Sequence, residues 1–502
     1  MMKPITQPTL PVLAMFLTAT CSLLGAEASS ADRFDGAREV IRQTMLDTNA
    51  PSVSVAVAHK GRILWEQGFG WADKERRVIA TEHTLYSLAS LTKPLTAAGI
   101  MTLVQAGKVD LERPINDYLG DAKLQARVGD AGQATIRRVI DHTSGLPGGS
   151  QFFYGEERVL APSMERTILR YGNLIAPAGE RYEYSNFGYG VLSYVIERVS
   201  GRSYADYMRS ELFLPLAMTH SSIGVGAGLE QYQAIRYGRT GQPIPDYAFG
   251  EPGAAAGYSS AHDLIRLGLF FLKHPQRGQR AILSDSSIDR MMLAGPGANE
   301  VSSGNVGWQI NQIGPRTMVG HAGSMAGVTT ELTMVPSADM SVVVLSNASI
   351  GSKLYKIRDA IYRSLLPDWQ GTVHVPTKSE SFVPTPELLG AWSGTIQTYE
   401  GELPIKMNIL AGGDVHVQIG SQLETLLNKV SFEKGVLSGS ALSQIDTSDT
   451  RRHPHTVQLT LTLRGKALNG DAMAVSVPDP KWTWIYGLPH WVALSKQAEA
   501  SR

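Results

Sequence analysis

Cysteine is all but missing from this chain: among 502 residues there is one, Cys21. A lone thiol forms neither an intrachain disulfide nor a multi-cysteine metal site, so neither holds this fold together. A surplus of either charge is missing too, since Lys+Arg and Asp+Glu both total 46. That balance gives no bulk attraction for nucleic acid or an anionic membrane. Leu10 to Leu24 is mostly apolar, but it is short and Pro11 interrupts it, so no stable membrane span is expected. Two hydrolase signatures are absent as well. There is no G-x-S-x-G elbow, and the twelve histidines include no H-E-x-x-H. His453-Pro454-His455 stands alone in an expected loop, so no metal site is assigned. No solenoid repeat or low-complexity tract occurs.

What is present begins with a targeting pattern. Lys3 supplies a positive start, Leu10 to Leu24 an apolar centre, and Ala26-Glu27-Ala28 a small-x-small cleavage site. Residues 1–28 are expected to be a signal peptide cut after Ala28, giving a periplasmic or secreted protein without cysteine. A lipoprotein anchored through Cys21 fits less well, because Thr18-Ala19-Thr20 is a poor lead into an acylated cysteine. The remaining length, with 43% hydrophobic residues, suffices for more than one core. Residues 29–370 read as a first domain, 371–386 as a linker holding His374, Pro376, Pro384 and Pro386, and 387–502 as a second domain.

Periodicity gives the elements. Residues 33–48 form an amphipathic helix, with Phe34, Ala37, Val40, Ile41 and Met45 on one face. A hairpin follows, Ser52 to Ala58 returning as Ile63 to Gly70. Helices are expected at 135–142, 187–199, 261–272 and 352–366. The third carries Gly268 on its apolar side, where a neighbour could approach closely. Val328 to Val335 and Met340 to Leu345 form a second hairpin. Strands at both ends with helices between imply one antiparallel sheet built from N- and C-terminal parts, flanked by helices, with an inserted helical lobe and a site in the cleft between. After the linker the period becomes two: Ile405, Met407 and Ile409; Val415, Val417 and Ile419; Val457, Leu459, Leu461 and Leu463. That pattern predicts an all-β, barrel-like domain.

Ser90 and Lys93 stand at the head of an apolar-periodic run, Leu91, Leu95, Ala98 and Met101, that stops at Gly107. On a helix they share a face one turn apart, where an amine could take the serine's proton. Chance supplies such pairs, and Ser431 with Lys434 is a second one in a strand region. Three further stretches mix polar and aromatic residues: Arg181-Tyr182-Glu183-Tyr184-Ser185-Asn186-Phe187-Gly188-Tyr189, Gly320-His321-Ala322-Gly323-Ser324 and Asp141-His142-Thr143-Ser144-Gly145. A phenol can shuttle a proton if nearby cations lower its pKa, and a carboxamide can orient a substrate carbonyl.

The succession Ser90-Leu91-Thr92-Lys93, Tyr184-Ser185-Asn186 and His321-Ala322-Gly323 resembles the S-x-x-K, Y-x-N and K/H-x-G motifs of serine β-lactamase-related proteins. These include class C β-lactamases, D-alanyl-D-alanine carboxypeptidase-type penicillin-binding proteins, D-aminopeptidases and related esterases. The resemblance covers residues 35–366. It implies a β-lactamase/transpeptidase-like α/β fold, with Ser90 as acylated nucleophile, Lys93 as base or relay and Tyr184 as second base. Asn186 would orient the substrate amide, His321 and Gly323 would line the substrate site, and the Ser90 and Ser324 N–H groups would form the oxyanion hole. The substrate would be a small molecule or peptide cut at an amide, peptide or ester bond, without cofactor or metal. His142 reads as structural. The departure is His321, where relatives commonly carry Lys, which weakens the expectation of β-lactam hydrolysis. The 387–502 segment, opening at Leu389 to Ile396, looks like the lipocalin-like domains of some D-aminopeptidase-type relatives. A non-catalytic penicillin- or peptidoglycan-binding module is the rival reading; a Ser-His-Asp triad based on His321 would leave Lys93 and Tyr184 unexplained.

Overall fold

The computed structural model of the chain describes residues 33–293, 306–371, 381–478 and 485–498. The expected signal peptide with Cys21, and most of the expected linker, lie outside the described residues.

The helices that matter here are α1 (Asp35–Thr48), α2 (Thr92–Gln105), α3 (Asn186–Ser200), α4 (Pro252–Ala255), α5 (Ala261–Phe271) and α6 (Lys353–Leu365). The first strands are β1 (Ser52–His59), β2 (Arg62–Asp73), β3 (Val78–Ile79), β4 (Ser150–Tyr154) and β5 (Tyr247–Phe249). Four more complete this part: β6 (Gln309–Ile313), β7 (Arg316–Met325), β8 (Val328–Val335) and β9 (Met340–Ser346). A seven-stranded sheet runs in the order β6-β7-β8-β9-β1-β2-β3. Its centre is the expected union of chain ends, β1 lying antiparallel to β9 from Val53 opposite Ser346 to His59 opposite Met340.

Alternation along β1 sorts its side chains between two cores. Val53, Val55 and Val57 face α1 and α6, packing with Phe34, Ile41, Ile357 and Tyr362. The smaller Ala56 and Ala58 face the opposite way, into the helical side. There α5 comes very close to β9: a Cβ on Gly268 would meet the Ser341 Oγ at 2.3 Å. Glycine costs the helix propensity but permits that contact.

The period-two segments become strands of a second sheet: β10 (Gly390–Thr398), β11 (Gly401–Ile409), β12 (Val415–Ile419), β13 (Thr425–Leu426) and β14 (Asn428–Glu433). It continues with β15 (Val436–Ala441), β16 (His455–Arg464), β17 (Ala467–Ser476) and β18 (Tyr486–Lys496). The path runs β13-β12-β11-β10-β18-β17-β16-β15-β14, so it begins and ends on strands adjacent in the chain and curls into a nearly closed barrel. Closure of this kind leaves few unpaired edge groups.

The sequence gives no hint of how the two parts join. β4, from the helical lobe, pairs with β18, placing Gln151 opposite Tyr486, and with β5 on its other side. Arg170 donates to both Asp449 oxygens at 2.8 Å, and the Tyr171 hydroxyl donates to the same carboxylate. Arg464 pairs with Glu180, and Arg452 and His453 both reach Glu157. One buried apolar cluster extends from the lobe through Phe152 and Tyr486 to Trp392 in the barrel. Among the described residues, no helix is long and apolar enough to cross a membrane, and no His/Cys/Asp/Glu group is arranged to hold a metal.

Candidate active site

Ser90 occupies a short 3-10 turn, Ala89–Leu91, that runs directly into α2. Ala89 before it has φ +50°, a conformation an L-residue adopts at a cost of order 1 kcal/mol or more. The surroundings impose it. Strand β7 crosses so near the turn that a Cβ on Gly323 would stand 2.1 Å from the Leu88 carbonyl oxygen and 3.1 Å from the Ala89 Cβ. Thr330 on β8 donates to that carbonyl at 2.7 Å, and Thr92 donates to the Ala89 carbonyl at 2.7 Å. Ser90 itself is half-buried, whereas Ser324 on β7 is exposed.

Lys93 lies one helical turn on and is fully buried. Its Nζ is 3.2 Å from Ser90 Oγ, 2.7 Å from Asn186 Oδ1 and 3.2 Å from the Ala254 carbonyl. The Tyr184 ring centre is 4.7 Å away and that of Tyr189 5.5 Å. Burial holds the ammonium form well below its ordinary pKa, against the opposing pull of Glu251. Asn186 reaches the lysine because it is the first residue of α3, just inside a capped end. Ser185 is the cap, its Oγ accepting from the Gly188 N–H at 2.8 Å and donating to the Pro147 carbonyl.

Tyr184 stands beside the Ser90 hydroxyl, and its own ring is packed against His142, centroids 4.5 Å apart. Among the described residues, no neighbouring cation lowers its pKa. Burial outweighs the help from Ser90 and pushes the phenol well above its ordinary value, so it carries its proton at rest. His142 accepts the Ser185 N–H on Nδ1 at 3.1 Å, and burial then Lys93 press its pKa well below normal. It is a neutral prop beneath the Tyr184–Asn186 turn.

His321 is buried on β7, its Nδ1 2.7 Å from the Ala322 carbonyl oxygen. Burial first, and Lys93 second, lower its pKa to about 3. It is neutral across the physiological range and supplies no cation to the site.

Ser90, Lys93, Tyr184 and Asn186 thus converge on one point, with His321, Gly323 and Ser324 on the strand that forms its wall. The other serine–lysine pair does not converge: Ser431 meets Ser438 across a strand pair, and Lys434 sits in a left-handed turn. Sequence reasoning missed Glu251, Ala254 and Tyr189. Tyr189 lies in a segment already singled out, but nothing local marks Glu251 as buried or Ala254 as a lysine partner.

A family model described as Beta-lactamase matches residues 37–365. Protein flp of Staphylococcus aureus (strain MRSA252) is 26% identical over 314 residues, 61% of this chain and 62% of that protein. Unguisins hydrolase ungD' of Aspergillus campestris (strain IBT 28561) is 28% identical over 336 residues, 62% of this chain and 61% of that protein. The chain therefore spans less than two thirds of these curated relatives. The crystal structure of SurE, at 21% identity and a TM-score of 0.63, covers 93% of this chain and 100% of its own. SurE has also been solved with D-Leu. The fold likeness reaches into the barrel, while the matched span runs from α1 to the end of α6 and encloses the whole Ser90 site. The chain belongs to the beta-lactamase family.

Proposed function

We propose that this protein is an exported serine hydrolase that forms an acyl-enzyme on Ser90 and hydrolyses an amide, peptide or ester bond. The observation that carries this reading is the environment of Lys93. A neutral amine has two N–H donors and one lone pair. Asn186 Oδ1 and the Ala254 carbonyl are pure acceptors, so they take the two donors, and the lone pair is left for the Ser90 hydroxyl.

Ser90 Oγ attacks the substrate carbonyl while its proton passes to Lys93 Nζ. The negative charge that forms on the carbonyl oxygen is met by the Ser90 and Ser324 N–H groups. Tyr184, protonated at rest, gives its proton to the departing amine or alkoxide and recovers one from Lys93. Collapse leaves an ester on Ser90. Water then attacks this ester, passing its proton through Tyr184 and Lys93 back to Ser90 Oγ as the acid is released. Asn186 orients the substrate amide, and His321 and Gly323 shape the wall beside it.

A neutral His321 favours substrates that do not need a cation at that position. D-amino-acid peptides and small esters fit this better than β-lactams. The D-Leu in the SurE structure is in keeping with a D-amino-acid substrate. Export rests on the pattern of residues 1–28, and the division into 29–370 and 387–502 on the two sheets. The rival reading, a penicillin- or peptidoglycan-binding module without turnover, draws on the missing cation. Incubation with a fluorescent penicillin and a fluorophosphonate, followed by ester and D-amino-acid p-nitroanilide turnover, separates these. Labelling lost in Ser90→Ala together with multiple turnovers is expected. Equal labelling of Ser90→Ala, or no labelling at all, would refute the reading.

A further inference from the structure

Glu251 is a buried carboxylate that none of these steps uses. It is 2% exposed and immediately precedes α4. Its Oε2 accepts the Gln151 N–H at 3.0 Å, while the adjacent Gly250 N–H donates to the Gln151 carbonyl at 2.8 Å. The Gly250–Glu251 pair therefore takes both backbone groups of Gln151, the residue opposite Tyr486 where the lobe joins the barrel. Three residues beyond Glu251, the Ala254 carbonyl accepts from Lys93, and the Gly253 carbonyl accepts from Thr96 one turn along α2. On the other side runs α3. Gly190, one turn after Asn186, passes so close that a Cβ there would stand 3.0 Å from the Glu251 Cβ.

Glu251 is thus wedged between the helix that presents Asn186, the strand tied to the barrel, and the turn whose carbonyl fixes Lys93. The remaining titratable groups facing Lys93 are neutral near pH 7. Burial pushes the Tyr184 and Tyr189 phenols up and the His142 and His321 imidazoles down. Burial raises Glu251 to about 7, with the hydrogen bond from the Gln151 N–H and then the Lys93 charge drawing it back down, while the Glu251 charge opposes the burial that lowers Lys93.

We propose that Glu251 is a positioning residue for Lys93: its carboxylate locks Gln151 against the α4 turn whose Ala254 carbonyl accepts from the lysine. The catalytic part of this rests on the serine-hydrolase reading above. Removing the charge removes an attraction that favours the ammonium, so Lys93 becomes easier to deprotonate and the acid limb of acylation moves to lower pH.

The test compares wild type with Glu251→Gln, which keeps an oxygen for the Gln151 N–H, and with Glu251→Ala, which does not. Two readouts are taken: the pH profile of acylation by a fluorophosphonate, and NMR titration of the lysine Nζ signals, with Lys93 assigned by Lys93→Arg. Glu251→Gln is expected to lower the Lys93 midpoint and the acid limb together, by at least about half a pH unit. Glu251→Ala should also slow acylation by about tenfold through the loosened turn. An unmoved midpoint in Glu251→Gln overturns the proposal, even when acylation is normal. A moved midpoint in a protein that never acylates leaves the positioning role standing and refutes the hydrolase reading instead. If Glu251→Gln does not fold, Glu251→Asp serves. It keeps the charge and shortens the reach, so slower acylation with an unshifted acid limb is expected, and unchanged acylation overturns the proposal.

Discussion

Replacing Gly323 with alanine puts the strand-to-turn contact beside Ser90 under direct strain. The added methyl would fall 2.1 Å from the Leu88 carbonyl oxygen and 2.5 Å from the Thr330 Oγ1. The Leu88 carbonyl is backbone and cannot swing aside, so β7 and the Ser90 turn must separate by roughly 1 Å. Separation also stretches the 2.7 Å hydrogen bond from Thr330 to Leu88. Overpacking of this kind costs about 1–3 kcal/mol, and one weakened buried hydrogen bond adds about 1 kcal/mol. The effect on chemistry is larger than on stability. The proposed oxyanion donors, the N–H groups of Ser90 and Ser324, sit on the two elements being pushed apart. A misplacement of about 1 Å, or loss of one such donor, slows reaction by about a hundredfold or more. Stopped-flow acylation by a fluorophosphonate, alongside thermal unfolding, measures both. A Gly323→Ala protein that acylates within about threefold of wild type and melts at the same temperature would refute the close-approach argument.

Three further outcomes follow from the same geometry. His321→Lys should raise the preference for carboxylate-bearing peptides over neutral esters by about tenfold, the worth of one charge-assisted hydrogen bond, and an unchanged ratio of kcat/KM values would deny His321 a part in substrate choice. Folded His321 titrates near 3 against an unfolded value of 6.5, so between these the unfolded chain binds more protons and wild type loses stability as pH falls. His321→Gln removes that loss. Its stability relative to wild type should improve by up to about 1.4 kcal/mol per pH unit below 6.5 in denaturant titrations, and a constant difference would contradict the buried neutral imidazole. Asp449→Ala deprives Arg170 and Tyr171 of their shared acceptor, so it should cost about 2 kcal/mol and expose the lobe–barrel junction to limited proteolysis; a wild-type digestion pattern would mean the ion pair is not holding that junction.

Much of the framework was legible because it is local. The alternation of Val53, Val55 and Val57, the hairpin at 328–345 and the glycine within Ala261–Phe271 each declare themselves within one short stretch of chain. The Ser90, Tyr184 and His321 motifs were legible for another reason: their order along the chain carries information that no one of them holds. What could not be read depends on burial and distant pairing. The protonated state of Tyr184 follows from desolvation by packed neighbours, not from the charges written beside it. The partnership of Gln151 with Tyr486 joins two segments with no local register signal, and Glu251 looks in sequence like any surface acid before a proline.

The meeting of β1 with β9 also sets a clock on biosynthesis. The Ser346 hydroxyl closes on the Ser52 carbonyl across 294 positions, so β1, an interior strand of the sheet, stays unpaired on that side until its distant partner has been made. At about 5–20 residues per second, that delay is roughly 15 to 60 s on the ribosome. Strand β7, which completes the wall beside Ser90, is also translated only after the nucleophile helix. A nascent or prematurely terminated chain ending before residue 316 therefore holds Ser90 and Lys93 without the surface that would aim them, and the nucleophile stays unassembled until nearly the whole catalytic fold exists.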